Sequence, residues 1–118
     1  MNDGHVLKVE VLDNVAVATI QRPNLAEEST VFSLSQELFD LALQIKPPFL
    51  FDCERLRVLS ASAVREFLKF RKDNSFQPND LHFCAATTEI KEVFTLLRIE
   101  SYFTWHSCRE IALTRLNS

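Results

Sequence analysis

One residue type is nearly missing from this chain: of 118 residues only Gly4 is glycine, and it belongs to a stretch expected to fray at the N-terminus. A Walker A loop, a dinucleotide-binding fingerprint, a G-x-S-x-G nucleophile elbow and an EF-hand loop each need a glycine inside the motif, for backbone approach or positive φ. None of the four can be written with this sequence, so the commonest nucleotide-binding and hydrolase architectures are excluded. No cofactor-binding motif remains.

The charge balance removes further classes. Lys and Arg number 13 against 16 Asp and Glu, a net charge of −3, and no basic run appears. Phosphate neutralisation on nucleic acid needs a Lys/Arg surplus on at least one face, so no nucleic-acid partner is expected. The apolar runs Val15 to Ile20 and Phe49 to Phe51 fall far short of the ~20 residues of a spanning helix, so direct membrane insertion is not expected either. Met1 to Val9 lacks the layout of a signal peptide, and a cytoplasmic location is the expectation. Cys53, Cys84 and Cys108 are odd in number, widely spaced and without C-x-x-C, which reads as reduced, mostly buried thiols. A chain this long buries roughly two-thirds of its unfolded surface, enough for one self-sufficient domain over residues 1–118.

Hydrophobic periodicity then gives the order of elements. Leu7, Val9 and Val11 alternate with Lys8 and Glu10, the period of a strand with one wet face. Asp13-Asn14 makes a two-residue turn into Val15 to Ile20, so a hairpin is expected. Gln21 to Thr30 reads as a loop. Leu34, Leu38, Leu41, Ala42 and Ile45 fall at helical spacing behind a Ser33/Gln36 capping box, and Pro47-Pro48 ends that helix. Phe49-Leu50-Phe51 is a strand covered on both faces. Val64, Phe67 and Leu68 belong to a second helix opened at Ser60 to Ala63 and closed near Asp73-Asn74. Leu81 to Ala86 is another strand. Thr87 or Thr88 caps a third helix with Ile90, Val93, Phe94 and Leu97 on one stripe. Tyr102 to Trp105 is a last short strand, and a Ser107/Glu110 capping box opens a final helix through Ile111, Ala112 and Leu116. The order β-β-α-β-α-β-α-β-α implies an α/β domain: a small mixed, mostly parallel sheet begun by a hairpin.

Few residues here could carry chemistry. His5, His82 and His106 stand apart from metal-ligand spacing, and His106 with Cys108 is too small a set for zinc. Cys108, near a helix start, is the thiol closest to an activating environment, but a structural role is the simpler reading for all three cysteines. No catalytic residue, and therefore no enzyme, is indicated. Most of the ten Phe residues occupy core positions, while Phe70 and Phe76 stand outside the helical stripe; either is a candidate for an exposed patch, against the simpler reading of ordinary singly exposed rings.

Three stretches carry a resemblance: Phe51-Asp52-Cys53, Ser60-Ala61-Ser62-Ala63-Val64, and the run Thr87 to Ile99 ending in Leu97-Arg98-Ile99. In this order and spacing, over almost the whole chain, they resemble the STAS family, the bacterial anti-sigma factor antagonists. There a Leu-Asp-Leu strand leads into Asp-Ser-Ser-Gly-Leu, and a later helix ends in Thr-Gly-Leu. Pro23-Asn24-Leu25-Ala26 corresponds to the family's Gly-Glu-Leu-Asp. The resemblance implies helices packed mainly on one face of the sheet, and protein recognition without catalysis. The partner it implies is an anti-sigma factor or serine kinase of the histidine-kinase-like ATPase fold, which binds the loop before the second helix and phosphorylates the first serine of Asp-Ser-Ser-Gly. On this chain the partner-binding residues would be Asn24, Leu25, Ser60, Ala61, Ser62 and Arg65.

The chain departs from the family at the decisive position. Ala61 stands where the phosphoacceptor would be, Ser60 replaces the preceding acid, Ala63 replaces the glycine and Ala26 replaces the acid of the earlier loop. Ala61 has no hydroxyl to phosphorylate. Ser60 and Ser62 remain as possible phosphorylation sites, against the simpler reading that one of them caps the helix. Another role open to a family member without the acceptor serine is an accessory subunit of a membrane transporter or sensory assembly.

Overall fold

A computed structural model of the chain describes residues 5–117, so Gly4 and its expected fraying lie outside the described residues. The element order is β1 (Leu7–Leu12), β2 (Val15–Ile20), β3 (Asn24–Leu25), α1 (Glu28–Gln44), β4 (Phe49–Asp52), β5 (Val58–Leu59), α2 (Ala61–Asp73), β6 (Leu81–Cys84), α3 (Thr88–Leu96), β7 (Thr104–His106) and α4 (Arg109–Leu116). Five strands form one sheet in the order β1-β2-β4-β6-β7, and β3 pairs with β5 in a separate two-stranded sheet. Among the described residues only the β1–β2 hairpin is antiparallel. Its two-residue turn places Asp13 at φ 51° and Asn14 at φ 68°, the left-handed pair that a tight hairpin requires and that Asp and Asn tolerate.

Alternation along the central strands divides the core between the two faces. Phe49, Phe51, Leu81 and Phe83 point into the main core with α1, α2 and α3, while Leu50 and Cys84 point to a smaller cluster closed by Ala112, Leu113 and Leu116 of α4. β4 and β6 are therefore buried on both faces, as their continuous apolar runs predict. Three helices cover one face and α4 covers the other. Phe83 is the hub of the main core, with Phe51, Phe67, Phe94, Phe103 and Trp105 at centroid distances of 4.9–5.3 Å.

Several local expectations are corrected. Helix α1 begins at Glu28 and not at Ser33; its N-cap is Glu27, which makes no side-chain cap bond, and the Ser33/Gln36 box does not form. The early start brings Val31 onto the core, and Glu37 is held at the sheet edge, accepting bonds from the Val6 and Leu7 amides at 2.8 Å each. The Ser107/Glu110 box is also absent, because α4 is capped at Cys108, one residue later. There the register follows Arg109, whose Nε donates to Asp52 at 2.9 Å. Phe70 and Phe76 are not a surface patch: both rings pack against Phe49 at 5.4 Å, Phe70 edge to face and Phe76 tilted. Val9 and Val11, expected on the buried face of β1, are 39% and 57% exposed, since β1 is the edge strand of the sheet and only its Leu7 end joins the main core.

The face under α4 carries polar groups that are fully paired. Asp52 accepts from Arg109 Nε and from the Glu54 amide at 3.0 Å, and Arg109 Nη2 donates to Thr19 at 2.8 Å. His82 Nε2 lies 2.7 Å from the Asn79 carbonyl, which can only accept, so that nitrogen carries the proton. His82 Nδ1 is then the acceptor for His106 Nε2 at 2.9 Å, and His106 Nδ1 accepts from Arg115 at 3.3 Å. This chain of bonds needs both rings neutral. Burial lowers both pKa values, and for His106 the neighbouring His82 and Arg115 lower it further. Burial pushes the Cys53 thiol well up and the Cys84 thiol to about 12, the second aided by Asp52, so neither is a nucleophile at neutral pH.

Two outcomes follow from these features. Ala85 sits at φ 59° after β6, where an L-residue is disfavoured by roughly 1–2 kcal/mol. Ala85→Gly should raise stability by about 1 kcal/mol and the Tm by a few degrees, while Ala16→Gly in β2 lowers both. For the histidine pair, folded pKa values below the ordinary 6.5 mean that the unfolded chain binds more protons in between. Stability is full above about pH 6.5 and is lost as pH falls from there through the lowered folded values. Urea midpoints measured from pH 8 to pH 5 should fall in that window, and His106→Gln should shrink the fall.

Candidate functional site

The segments that the family resemblance singles out are distant in sequence and meet at the start of α2. Their junction is the β3–β5 pair, which sequence reading missed. Two-residue strands have no period to detect, yet they register Asn24 with Val58 and Leu25 with Leu59. The Pro23 carbonyl accepts from the amides of Arg57 at 2.8 Å and Val58 at 2.9 Å, and the Ser60 amide donates to the Leu25 carbonyl at 3.1 Å. Leu25, Leu56 and Leu59 anchor this pair in the main core.

Leu25 therefore departs from its expected role. Its side chain is 0% exposed, so it positions the loop and makes no surface contact. Asn24 beside it is exposed, as are Ser62 and Arg65 on the first turns of α2, and Ala61 is half-buried between them. Val58, at 47% exposure, adds an apolar side chain to this surface that the sequence reading did not select. A valine after a charged loop is a weak signal until its strand partner is known.

Ser60 is the N-cap of α2, its Oγ accepting from the Ala63 amide at 3.1 Å. The helix opens toward the loop surface, so its partial positive end lies beside Ala61 and Ser62. Ala63 and Val64 are fully buried, and a methyl group fits where the family pattern has glycine. Arg57 is not a free cation here: its Nη1 donates to the Glu54 and Leu56 carbonyls at 2.8 and 3.0 Å. Among the described residues no base is hydrogen-bonded to Ser60 or Ser62, no group of three or more His, Cys, Asp or Glu is placed to hold a metal ion, and no helix is long and apolar enough to cross a membrane. The arrangement presents a small, mixed polar and apolar surface at a helix start.

No protein-family model matches the chain, and no curated protein matches it by sequence. Solved structures do match. The chain superposes on an anti-sigma-factor antagonist (STAS) domain protein from Planctomyces limnophilus with a TM-score of 0.80 at 19% identity, covering 93% of this chain and 96% of the other. An anti-sigma factor antagonist from Mycobacterium paratuberculosis gives 0.78 at 16% identity, over 95% and 93%. The anti-sigma factor antagonist SpoIIAA in its unphosphorylated form gives 0.73 at 14% identity, over 93% and 95%. The Bacillus protein in its phosphorylated form gives 0.67 at 15%, over 93% and 98%. At these identities the likeness is one of fold, and it spans nearly the full length of both chains: this protein has the STAS fold, that of the anti-sigma factor antagonists its sequence resembles.

Proposed function

We propose that this protein is a non-enzymatic interaction module of the anti-sigma factor antagonist type, acting by binding an anti-sigma factor or a serine kinase of the histidine-kinase-like ATPase fold. The contact surface in this reading is Asn24, Val58, Ala61, Ser62 and Arg65. The observation that carries it is the β3–β5 pair, which holds the 23–26 loop against the start of α2 and so joins two segments into one surface. Support for the general role comes from the solved neighbours, which are anti-sigma factor antagonists.

The same site argues against the usual phosphate switch. Phosphorylation adds ~−1.5 to −2 charge and would expel a partner docked on this surface. Ala61 has no oxygen to accept a phosphoryl group, and the Ser60 oxygen is engaged in capping. Ser62 is the exposed hydroxyl that remains. The module then behaves as constitutively dephosphorylated at the position of Ala61.

Capture from lysate of the source cells, with and without ATP, should recover an anti-sigma factor or kinase. Ala61→Asp should weaken its binding at least tenfold, about 1.4 kcal/mol, by placing a carboxylate in the contact. Ala61→Ser should keep the affinity and gain phosphate at residue 61 when a kinase partner and ATP are present. Affinity unchanged in both Ala61→Asp and Val58→Asp removes this surface from the reading. Recovery of transporter or sensory-assembly subunits in an ATP-independent complex would instead make the protein a scaffold.

A further inference from the structure

Helix α1 buries Leu34, Leu38 and Leu41 and leaves a second apolar stripe uncovered: Phe32, Phe39 and Leu43 are 65%, 65% and 71% exposed. With Gln36 these positions follow i, i+4, i+7, i+11, one line along the helix. Beside them runs the outer line of α2, formed by Ser62, Glu66, Lys69 and Asp73 at the same spacing. A groove of about 400 Å³ separates the two lines, with Phe39 and Leu43 on one wall and Glu66, Lys69 and Asp73 on the other. The stripe is not spent on the fold.

Both lines share one symmetry. Reversing the α1 line about a point between Gln36 and Phe39 exchanges Phe32 with Leu43, apolar for apolar. Reversing the α2 line between Glu66 and Lys69 exchanges acid for base, and sets Asp73 against the neutral Ser62. The two centres lie side by side, since both flank the same stretch of groove. A two-fold axis crossing the helices there lays each line antiparallel on its own copy. Phe32 then covers the partner copy's Leu43, each Phe39 packs beside the opposing Gln36, and two Glu66–Lys69 pairs form across the axis. No like charges on these lines are opposed.

We infer that this face is a self-complementary interface and that the protein forms an isologous dimer through α1 and α2. The area agrees. Aromatic side chains cover 150–250 Å² each, so the three exposed apolar residues offer roughly 400 Å² per copy. With the charged line as rim, two copies reach the lower end of the ~1,200–2,000 Å² typical of specific interfaces. The dimer face shares only Ser62 with the surface proposed for partner binding, and it is tested without any partner, so its failure leaves the proposed function standing.

Sedimentation velocity on the full chain over a concentration series into the high micromolar range should show a monomer–dimer equilibrium. Phe39→Glu, at an exposed position, should leave a folded monomer by circular dichroism. Glu66→Lys and Lys69→Glu should each weaken dimerisation at least tenfold, because each sets like charges across the axis. An equimolar mixture of those two variants should associate again, since every cross-axis pair is then acid against base. This rescue separates the interface from the Glu66–Lys69 pairing within one helix, which mixing does not change. A monomer at every concentration, a dimer indifferent to these substitutions, or folded single variants that fail to associate when mixed would each overturn the inference.

Discussion

The contact on which the rest depends is the seating of α2 on the central strands through aromatic rings. Phe67 meets Phe51 and Phe83 at 5.1 and 5.2 Å, and Phe70 meets Phe49 at 5.4 Å. Edge-to-face pairs of this kind add about 0.5–1.5 kcal/mol each beyond the area they bury. They also fix the axial position of α2, and with it the place where Ala61 and Ser62 emerge. The β3–β5 pair brings the 23–26 loop to that point. A surface made of short loops is thereby carried on a rigid aromatic layer.

On the other face a different physics holds α4. Asp52 is buried, yet its oxygens are met by Arg109 and by a backbone amide, so the charge is compensated where it sits. Removing one partner of such a buried pair is strongly destabilising, since the other is left uncompensated. This network sits at the carboxyl ends of β2 and β4, the edge of the sheet where open α/β folds commonly bind ligands, and lines a shallow pocket there with Thr19 and Arg55.

Near-absence of glycine also reaches beyond the motifs it excludes. Asp13, Asn14, Ser75, Ala85 and Arg98 all adopt positive φ without it. Arg98 is the telling case, because Leu97-Arg98-Ile99 stands where the STAS pattern has Thr-Gly-Leu. At φ 61° Arg98 makes the turn that the glycine would make, and the Ile99 amide bonds back to the Phe94 carbonyl at 3.0 Å to close the helix. The backbone path of the fold is kept while the residue best suited to it is lost. Ala61, on the first turn of α2, sits in the same way in ordinary helix geometry without a hydroxyl.

Sequence alone determined the longer elements and their order, while the two-residue strands β3 and β5 left no period to read. Strand runs such as Phe49 to Phe51 and helical stripes such as Ile90 and Phe94 are signals of local period, and burial enforces that period directly. The two cap regions were legible for the same reason, since a cap involves residues three apart, and the structure chose Ser60 over Ser62 and Thr87 over Thr88. Tertiary structure decided whatever depends on which elements become neighbours. The start of α1 at Glu28 and of α4 after Cys108 followed Glu37 and Arg109, whose partners lie across the fold. Val9 and Val11 stayed exposed because β1 is an edge, and Leu25 was buried because β3 found β5. The outer stripe of α1 and its symmetry with α2 emerge only once the helices lie side by side. Period reports which residues seek burial; only packing decides which of them find it.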